Sequence, residues 1–147
     1  MKKITLQKLK HLGGQAGFTL FELLVSISII GILVALATVS YSAAQKKARD
    51  TRRIQDMKSI QTAAEQYYSI SNYNYPPSTT TPWTANGQTI LEDYPSDPKT
   101  GVEYVPSTLD STEYCICAEM EGDAQGNSAA ACNFSGGDTH YCVKNQQ

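Results

Sequence analysis

The chain has 147 residues, of which 41% are hydrophobic and 18% charged, and its formal net charge is −2. This length accommodates one compact domain and one additional element. The charges are unevenly placed, since residues 54–147 hold three basic residues against twelve acids. A body this acidic is a poor nucleic-acid binder, because a phosphate backbone requires clustered cations.

The chain opens with a basic segment and a long apolar one. Residues 1–17 contain four lysines and no acid, and the 22 residues from Phe18 to Val39 carry a single charge, at Glu22. As a helix, the apolar segment would be about 33 Å long, which is enough to cross the hydrocarbon core of a bilayer. A secretory signal peptide is the alternative, with Ala35, Ala37 and Ser40 imitating its cleavage site, but its apolar region should be shorter.

Glu22 is the unusual residue of the apolar segment. A carboxylate in such a segment is costly unless it is paired or lies near the interface, so it points to a function. If the chain were cut between Gly17 and Phe18, a new α-ammonium group would appear at Phe18. We expect that ammonium to pair with the Glu22 carboxylate of a neighbouring chain in a dry helix bundle.

The run Gly17-Phe18-Thr19-Leu20-Phe21-Glu22, which follows a Lys-rich leader and opens an apolar helix, resembles the type IV prepilin cleavage and methylation motif. The resemblance implies that a membrane peptidase and methyltransferase cuts after Gly17 and N-methylates Phe18, and that Glu22 guides assembly. It also implies the other partners, namely further pilins and an inner-membrane assembly platform. Because positive charges flank both ends of the apolar segment, orientation follows from the resemblance alone, with the leader in the cytoplasm and the head outside.

Beyond the apolar segment the sequence becomes polar without a helix breaker before Pro76. Apolar or small residues recur every three to four positions, at Ile54, Met57, Ile60 and Ala64, which predicts an amphipathic continuation of the helix over residues 41–72. The basic cluster from Lys46 to Arg53 is predicted to lie at the bilayer surface. The stretch from Arg52 to Tyr68 also resembles the corresponding part of pseudopilins.

Residues 73–147 are predicted to form a small β-rich head. We expect a loop over 76–86 and strands over 102–105, 113–120 and 139–143, which would form an antiparallel sheet packed on the helix. The predicted fold class is therefore α+β and pilin-like, with a transmembrane helix (18–40), its amphipathic continuation (41–72) and the head, after a leader (1–17). The segment from Tyr94 to Tyr104 resembles a loop of the major secretion pseudopilins.

The head contains all the cysteines, and their even number predicts disulfide bonds and an oxidising compartment. Cys115 and Cys117 share one face of a predicted strand, so we expect each to pair with Cys132 or Cys142 rather than with the other. Zinc is the alternative, but the spacing lacks the paired C-x-x-C of common zinc sites.

No cofactor or metal is expected, with calcium as the open alternative. In the major secretion pseudopilins, which usually lack these cysteines, an acidic C-terminal loop binds calcium. Glu121, Asp123 and Asp138 are compatible with such a loop, since oxygen ligands suit this ion. Asn133-Phe134-Ser135 matches a glycosylation acceptor pattern that chance readily produces.

The sequence does not indicate an enzyme. It has no G-x-S-x-G pattern and no Gly-rich phosphate loop, and His140 lies on a predicted strand, where a structural role is expected. We predict a structural subunit of an extracytoplasmic filament that contacts membrane lipid before assembly. Its role would be secretion, adhesion or motility, or DNA uptake. The alternative is a single-pass, membrane-anchored binding module that acts as a monomer.

Overall fold

The computed structural model describes residues 17–122, 126–130 and 132–147. The predicted leader before Gly17 and the calcium candidate Asp123 lie outside these ranges. The chain divides into two compact units, Met1–Val39 and Ser40–Gln147. The fold is α+β, as predicted, with a long N-terminal helix and small antiparallel sheets.

The helix α1 spans Leu20–Ile70 and has 51 residues. It contains no proline and a single glycine, Gly31, so nothing in its sequence removes a backbone hydrogen bond. By length and composition, it could cross a membrane. In the first unit its large apolar side chains are exposed, and Leu20, Ile32 and Leu36 are each more than 60% accessible.

The helix ends where the chain takes up the left-handed conformation. Asn72 and Tyr73 have φ angles of 52° and 61°, and the Tyr73 N–H donates to the Tyr68 carbonyl at 3.1 Å, which is the hydrogen bond of a Schellman-type terminus. The Asn86 side chain donates to the Ile70 carbonyl at 2.9 Å. The last carbonyls of α1 are thus satisfied before the chain turns into the head.

A two-stranded hairpin follows, formed by β1 (Trp83–Ala85) and β2 (Gln88–Leu91). Its turn is Asn86-Gly87, with φ angles of 50° and 78°, and such positive values favour Asn and Gly in a two-residue hairpin. The prediction of a loop over 76–86 is therefore wrong for β1. The Asn-Gly pair is the sequence signal that could have predicted this hairpin.

The main sheet consists of β3 (Pro106–Leu109), β4 (Tyr114–Glu119) and β5 (His140–Lys144) in the antiparallel order β3-β4-β5. The strands predicted over 113–120 and 139–143 are confirmed to within about one residue at each end. The strand predicted over 102–105 is wrong. That segment instead closes a turn in which the Asp97 N–H donates to the Val102 carbonyl at 2.9 Å. Pro106, which has no N–H, opens β3 at the sheet edge.

The core of the second unit lies between the buried side of α1, which we call the helix stripe, and the sheet and loops. It contains four residues of α1 and eight aromatic or aliphatic residues of the loops and strands: Met57, Ile60, Ala63, Ala64, Tyr75, Trp83, Tyr94, Tyr104, Tyr114, Ile116, Ala118 and Val143. The predicted stripe residues Met57, Ile60 and Ala64 are buried, whereas Ile54 is only half-buried. The stripe continues toward the helix N-terminus with charged residues, Asp50, Arg53 and Asp56, which are also buried.

Candidate functional site

Gly17 and Phe18 lie outside regular secondary structure, just before α1, and are exposed. A Cβ built on Gly17 would meet no atom within 4 Å, and the Phe18 side chain is 88% accessible. The two residues that flank the predicted cleavage point are therefore accessible.

Thr19 and Glu22 form a capping box at the start of α1. The Thr19 N–H and hydroxyl both donate to Glu22 Oε2, at 2.9 and 2.8 Å, and the Glu22 N–H donates to Thr19 Oγ1 at 3.2 Å. This reciprocal pattern satisfies N–H groups that have no partner within the helix. Both donors from Thr19 use the same carboxylate oxygen, so Oε1 accepts no hydrogen bond from Thr19. T-x-x-E before an apolar run is the sequence signature of a capping box, but this role of Thr19 was not predicted.

The hydroxyl groups of the apolar segment are satisfied within the helix. Ser26 and Ser28 each donate to the carbonyl four residues earlier, at 2.7 and 2.8 Å, and Thr38 donates to the Ala35 carbonyl at 2.9 Å. Such bonds reduce the cost of placing a hydroxyl in an apolar environment. Glu22 is therefore the one charged side chain of this segment, and its surface is otherwise apolar.

In the second unit, Asp50 anchors the chain that follows β4. Its side chain is completely buried and accepts the N–H groups of Glu121 and Gly122 at 2.9 and 2.8 Å. A Cβ on Gly122 would lie 3.2 Å from Asp50 Oδ2, so glycine allows this close approach. The third contact is an ion pair of 2.7 Å with Arg53.

Arg53 joins Asp50 to two loops of the head. Its Nε donates to Asp97 at 2.6 Å and its Nη1 lies 2.9 Å from Glu121, while Glu121 also pairs with Arg49 at 2.7 Å and with Lys99 at 3.1 Å. Burial disfavours the charged guanidinium, but the hydrogen bonds outweigh this effect and raise the pKa of Arg53. We call Arg49, Asp50, Arg53, Asp97 and Glu121 the ion network.

The same contacts shift the carboxylates of the ion network. The hydrogen bond from Arg49 outweighs desolvation and, with those from Lys99 and Arg53, holds the pKa of Glu121 well below its usual range. Burial opposes ionisation of Asp97, but hydrogen bonds from Arg53 and two backbone N–H groups lower its pKa to about 2. Arg49 and Arg53 therefore bind the head, and the prediction that the whole basic cluster faces the bilayer surface is wrong for these two residues.

The cysteines form two disulfide bonds, Cys115–Cys132 and Cys117–Cys142. Cys117 and Cys142 are directly opposite each other on β4 and β5, and Cys115 fixes the segment that precedes β5. Cys115 does not bond to Cys117, as expected from their positions on one strand. Three of the sulfur atoms lie within 4.8 Å of one another, but zinc binding requires thiolates, and all four cysteines are in disulfides.

Two of the calcium candidates, Glu121 and Asp138, lie in the described part of the chain. The Glu121 carboxylate is engaged by Arg49, Arg53 and Lys99, and the Asp138 carbonyl accepts the Gly126 N–H. His140 lies on β5, as predicted, and its Nδ1 is 2.9 Å from the Thr139 hydroxyl.

Comparison with known proteins agrees with the N-terminal geometry. The family model for the prokaryotic N-terminal methylation motif matches residues 12–38. The chain is 41% identical over 51 residues to a fimbrial protein of Pseudomonas aeruginosa, covering 35% of this chain and 33% of that protein. It is 30% identical over 108 residues to the type IV major pilin protein PilE of Neisseria gonorrhoeae, covering 74% of this chain and 63% of that protein.

A secretion protein is similar to the same degree. The chain is 30% identical over 90 residues to the type II secretion system core protein G of Escherichia coli strain K12, covering 61% of this chain and 57% of that protein. The matched part of the chain thus covers from about one third to just under two thirds of the length of these relatives. No solved structure matches.

An apolar helix with one capped carboxylate at its start and an α+β head are features of the pilin-like class of proteins. The motif match and the relatives make this chain similar to the type IV pilins and to the type II secretion core proteins G.

Proposed function

We propose that the chain is a structural subunit of an extracytoplasmic, type IV pilus-like filament. A prepilin peptidase cuts it after Gly17 and methylates Phe18, and an assembly platform in the inner membrane then draws the helix from the bilayer into the filament. The head faces outward from the membrane. Membrane lipid, other pilins and the processing enzyme are its partners, and it has no catalytic role of its own.

The observation that carries this proposal is the exposed apolar surface of α1 with a single carboxylate near its start. Every large apolar residue from Phe18 to Leu36 is exposed in the isolated chain, so this surface requires a bilayer or a bundle of equivalent helices. Glu22 lies four residues after the cleavage point, and its Oε1 is not used by Thr19. The Phe18 ammonium of a neighbouring chain would supply the positive charge that the Glu22 carboxylate needs when water is excluded.

The first test is intact-mass and N-terminal analysis of the chain purified from its native membrane. The proposal predicts a chain that begins at N-methylated Phe18. A chain that keeps the residues before Phe18, or is cut near Ala37 to Ser40, would instead favour the anchored binding module or a secreted protein.

The second test is Glu22→Ala, with Ser28→Ala as a matched control in the same segment. We expect Glu22→Ala to be cleaved and inserted normally but to yield few or no filaments, because it leaves the Phe18 ammonium unpaired in a dry core. Breaking a buried pair costs about 3–5 kcal/mol. Ser28→Ala removes only a bond within the helix and should assemble normally. Normal filaments from Glu22→Ala would refute the pairing.

Because the chain is similar both to pilins and to a secretion protein, a direct assay is needed to identify its cellular role. A deletion strain should be compared with its parent for protein export, surface adhesion, twitching motility and DNA uptake. The activity that is lost on deletion, and that returns with the wild-type chain but not with Glu22→Ala, is the role of the filament.

A further inference from the structure

The charges of the second unit are separated between the helix and the head. From residue 71 onward the sequence holds two lysines against ten acids, a net charge of −8. Both lysines are already engaged, because Lys99 pairs with Glu121 and the Lys144 Nζ lies 4.9 Å from the centre of the Phe134 ring. The surface of the head is therefore strongly acidic.

Five of these acids are exposed and have a carboxylate that forms neither an ion pair nor a hydrogen bond among the described residues. They occur on loops around the sheets and at the end of β4: Glu92, Asp93, Glu103, Glu113 and Glu119. We call them the head acids.

The helix has the opposite arrangement. Its three acids in this unit are turned into the protein, where Asp50 binds Arg53, Asp56 accepts the Tyr104 hydroxyl at 3.1 Å, and Glu65 accepts the Tyr114 hydroxyl at 3.2 Å. Its exposed charges are cationic. Lys47 and Lys58 in particular form no ion pair with any residue that the structure describes.

Lys47 and Lys58 lie on one face of α1. They are 11 residues apart, which is about three turns, or about 16 Å, of an α-helix. Thr51 and Thr62 each follow one of these lysines by four residues and are exposed on the same side. We call this surface of Lys47, Thr51, Lys58 and Thr62 the lysine face.

We propose that the lysine face docks against the head acids of a second copy of this chain, an inference that rests on the proposed filament. Identical subunits that stack head to tail use two different surfaces at each contact, and these two surfaces have opposite charge. Such complementarity favours the correct register and disfavours contact of like surfaces.

A lipid surface fits the lysine face less well. Lys47 and Lys58 are about 16 Å apart along the axis of α1, so a helix that crosses a bilayer cannot place both lysines in a single headgroup layer. The lysine outside that layer would be screened from it, because the Debye length at physiological ionic strength is only about 8 Å. The head acids come from several loops and from β4, so a neighbouring head offers more than one carboxylate to this face.

The direct test uses a carbodiimide, which couples a lysine amine to a carboxylate without a spacer. Filaments of the wild-type chain, sheared from cells and treated in this way, should give a ladder of covalent oligomers on a denaturing gel. Peptide mass spectrometry should join Lys47 or Lys58 to a head acid. Lys47→Arg/Lys58→Arg keeps the charges but lacks the amines, so it should form filaments and lose these cross-links. Lys144→Arg, the matched control, should keep them.

The second arm measures the effect of the charge on assembly. Lys47→Gln/Lys58→Gln removes two positive charges, and the control Thr84→Glu/Gln88→Glu gives the same change in net charge at two exposed positions of β1 and β2. Exposed ion pairs contribute modestly, so we expect a loss of about 2- to 30-fold in subunit association for the lysine variant. This loss should shrink at high salt, and the control should assemble like the wild type.

The outcomes separate this inference from the proposed function. Filaments whose cross-links do not depend on Lys47 or Lys58, or a lysine variant that assembles normally, would overturn the docking contact and leave the filament intact. Normal assembly with reduced binding to vesicles of anionic lipid would assign the lysine face to lipid instead. A wild-type chain that is never processed or assembled would overturn both proposals.

Discussion

Arg53 and Asp50, one turn apart on α1, form an ion pair at 2.7 Å with both side chains buried. The pair lies where α1 meets the loops of Asp97 and Glu121, because the same guanidinium reaches both of these carboxylates. The head is thus held on the helix by charged groups at one end of the stripe and by apolar side chains over the rest.

Replacing Arg53 should therefore destabilise the head strongly. Arg53→Met leaves Asp50 buried without its cation, and breaking a buried pair typically costs about 3–5 kcal/mol. The free energy of unfolding can be measured by urea denaturation of the full chain in detergent micelles, with fluorescence of Trp83, the one tryptophan. Lys99→Met removes an exposed partner of Glu121 and should cost at most about 1 kcal/mol. Equal losses in the two variants would contradict this account of the ion network.

The ion network should also make the head sensitive to acid. The pKa of Asp97 is lowered to about 2 in the folded protein, against about 3.9 in an unfolded chain. A lowered folded pKa contributes stability above the unfolded pKa and loses it as pH falls toward the folded one. We expect the free energy of unfolding to fall between about pH 4 and pH 2.

Asp97→Asn tests the source of that acid sensitivity. It should lower stability at pH 7, because the amide group that replaces Oδ2 carries no charge and cannot accept the hydrogen bond from Arg53. It should also flatten the decline between pH 4 and pH 2 relative to the wild type. Parallel pH profiles for the two proteins would show that Asp97 is not a source of the decline.

The sequence predicted the features that depend on local patterns. The apolar run with Glu22 and the absence of proline over α1 predicted the helix, and strand alternation predicted β4 and β5. The Asn86-Gly87 hairpin was equally predictable but was overlooked. The segment 102–105 has the alternation of a strand, yet a turn stabilised by Asp97 and the proline at 106 shift β3 toward the C-terminus.

The ion network could not be predicted in the same way. Arg53 meets Asp97 across 44 residues, and Arg49 meets Glu121 across 72. A basic cluster just after an apolar helix is typical of a bilayer surface, and the sequence does not reveal which of a dozen acids will fold back onto it. Which acids pair with the basic cluster depends on how the helix stripe packs, because that packing places Asp50 and Arg53 on the buried side of α1.

Thr19 should be needed to orient Glu22. Thr19→Val keeps the shape of the side chain but removes the hydroxyl that donates to Oε2 and accepts the Glu22 N–H, and loss of a cap costs about 1 kcal/mol. We expect cleavage after Gly17 to continue and the yield of filaments to fall by about tenfold or less, since about 1.4 kcal/mol is a factor of ten. Thr19→Ser retains the hydroxyl and should restore assembly. If serine and valine behave alike, the capping box does not contribute.

Removing divalent metal should leave the head stable. The positive charge that gathers Asp50, Asp97 and Glu121 is the guanidinium of Arg53, so these carboxylates are already neutralised without an ion. The midpoint of thermal unfolding should therefore be the same in excess calcium and in a calcium chelator. A bound ion would raise the midpoint in proportion to the logarithm of its concentration, and such a rise would assign calcium to the acidic loop after all.

The disulfides should contribute more to stability than any exposed ion pair. Cys117–Cys142 closes a loop with a sequence separation of 25 residues and Cys115–Cys132 one of 17, and cross-links of this size stabilise a chain by about 2–4 kcal/mol. Cys117→Ser/Cys142→Ser removes a bond between paired strands, whereas Cys115→Ser/Cys132→Ser frees the segment that precedes β5. Both double variants should show a lower urea midpoint under oxidising conditions, and a reducing agent should lower the wild type below either of them. If the reducing agent leaves the wild-type midpoint unchanged while mass analysis shows four free thiols, the disulfides do not stabilise the head.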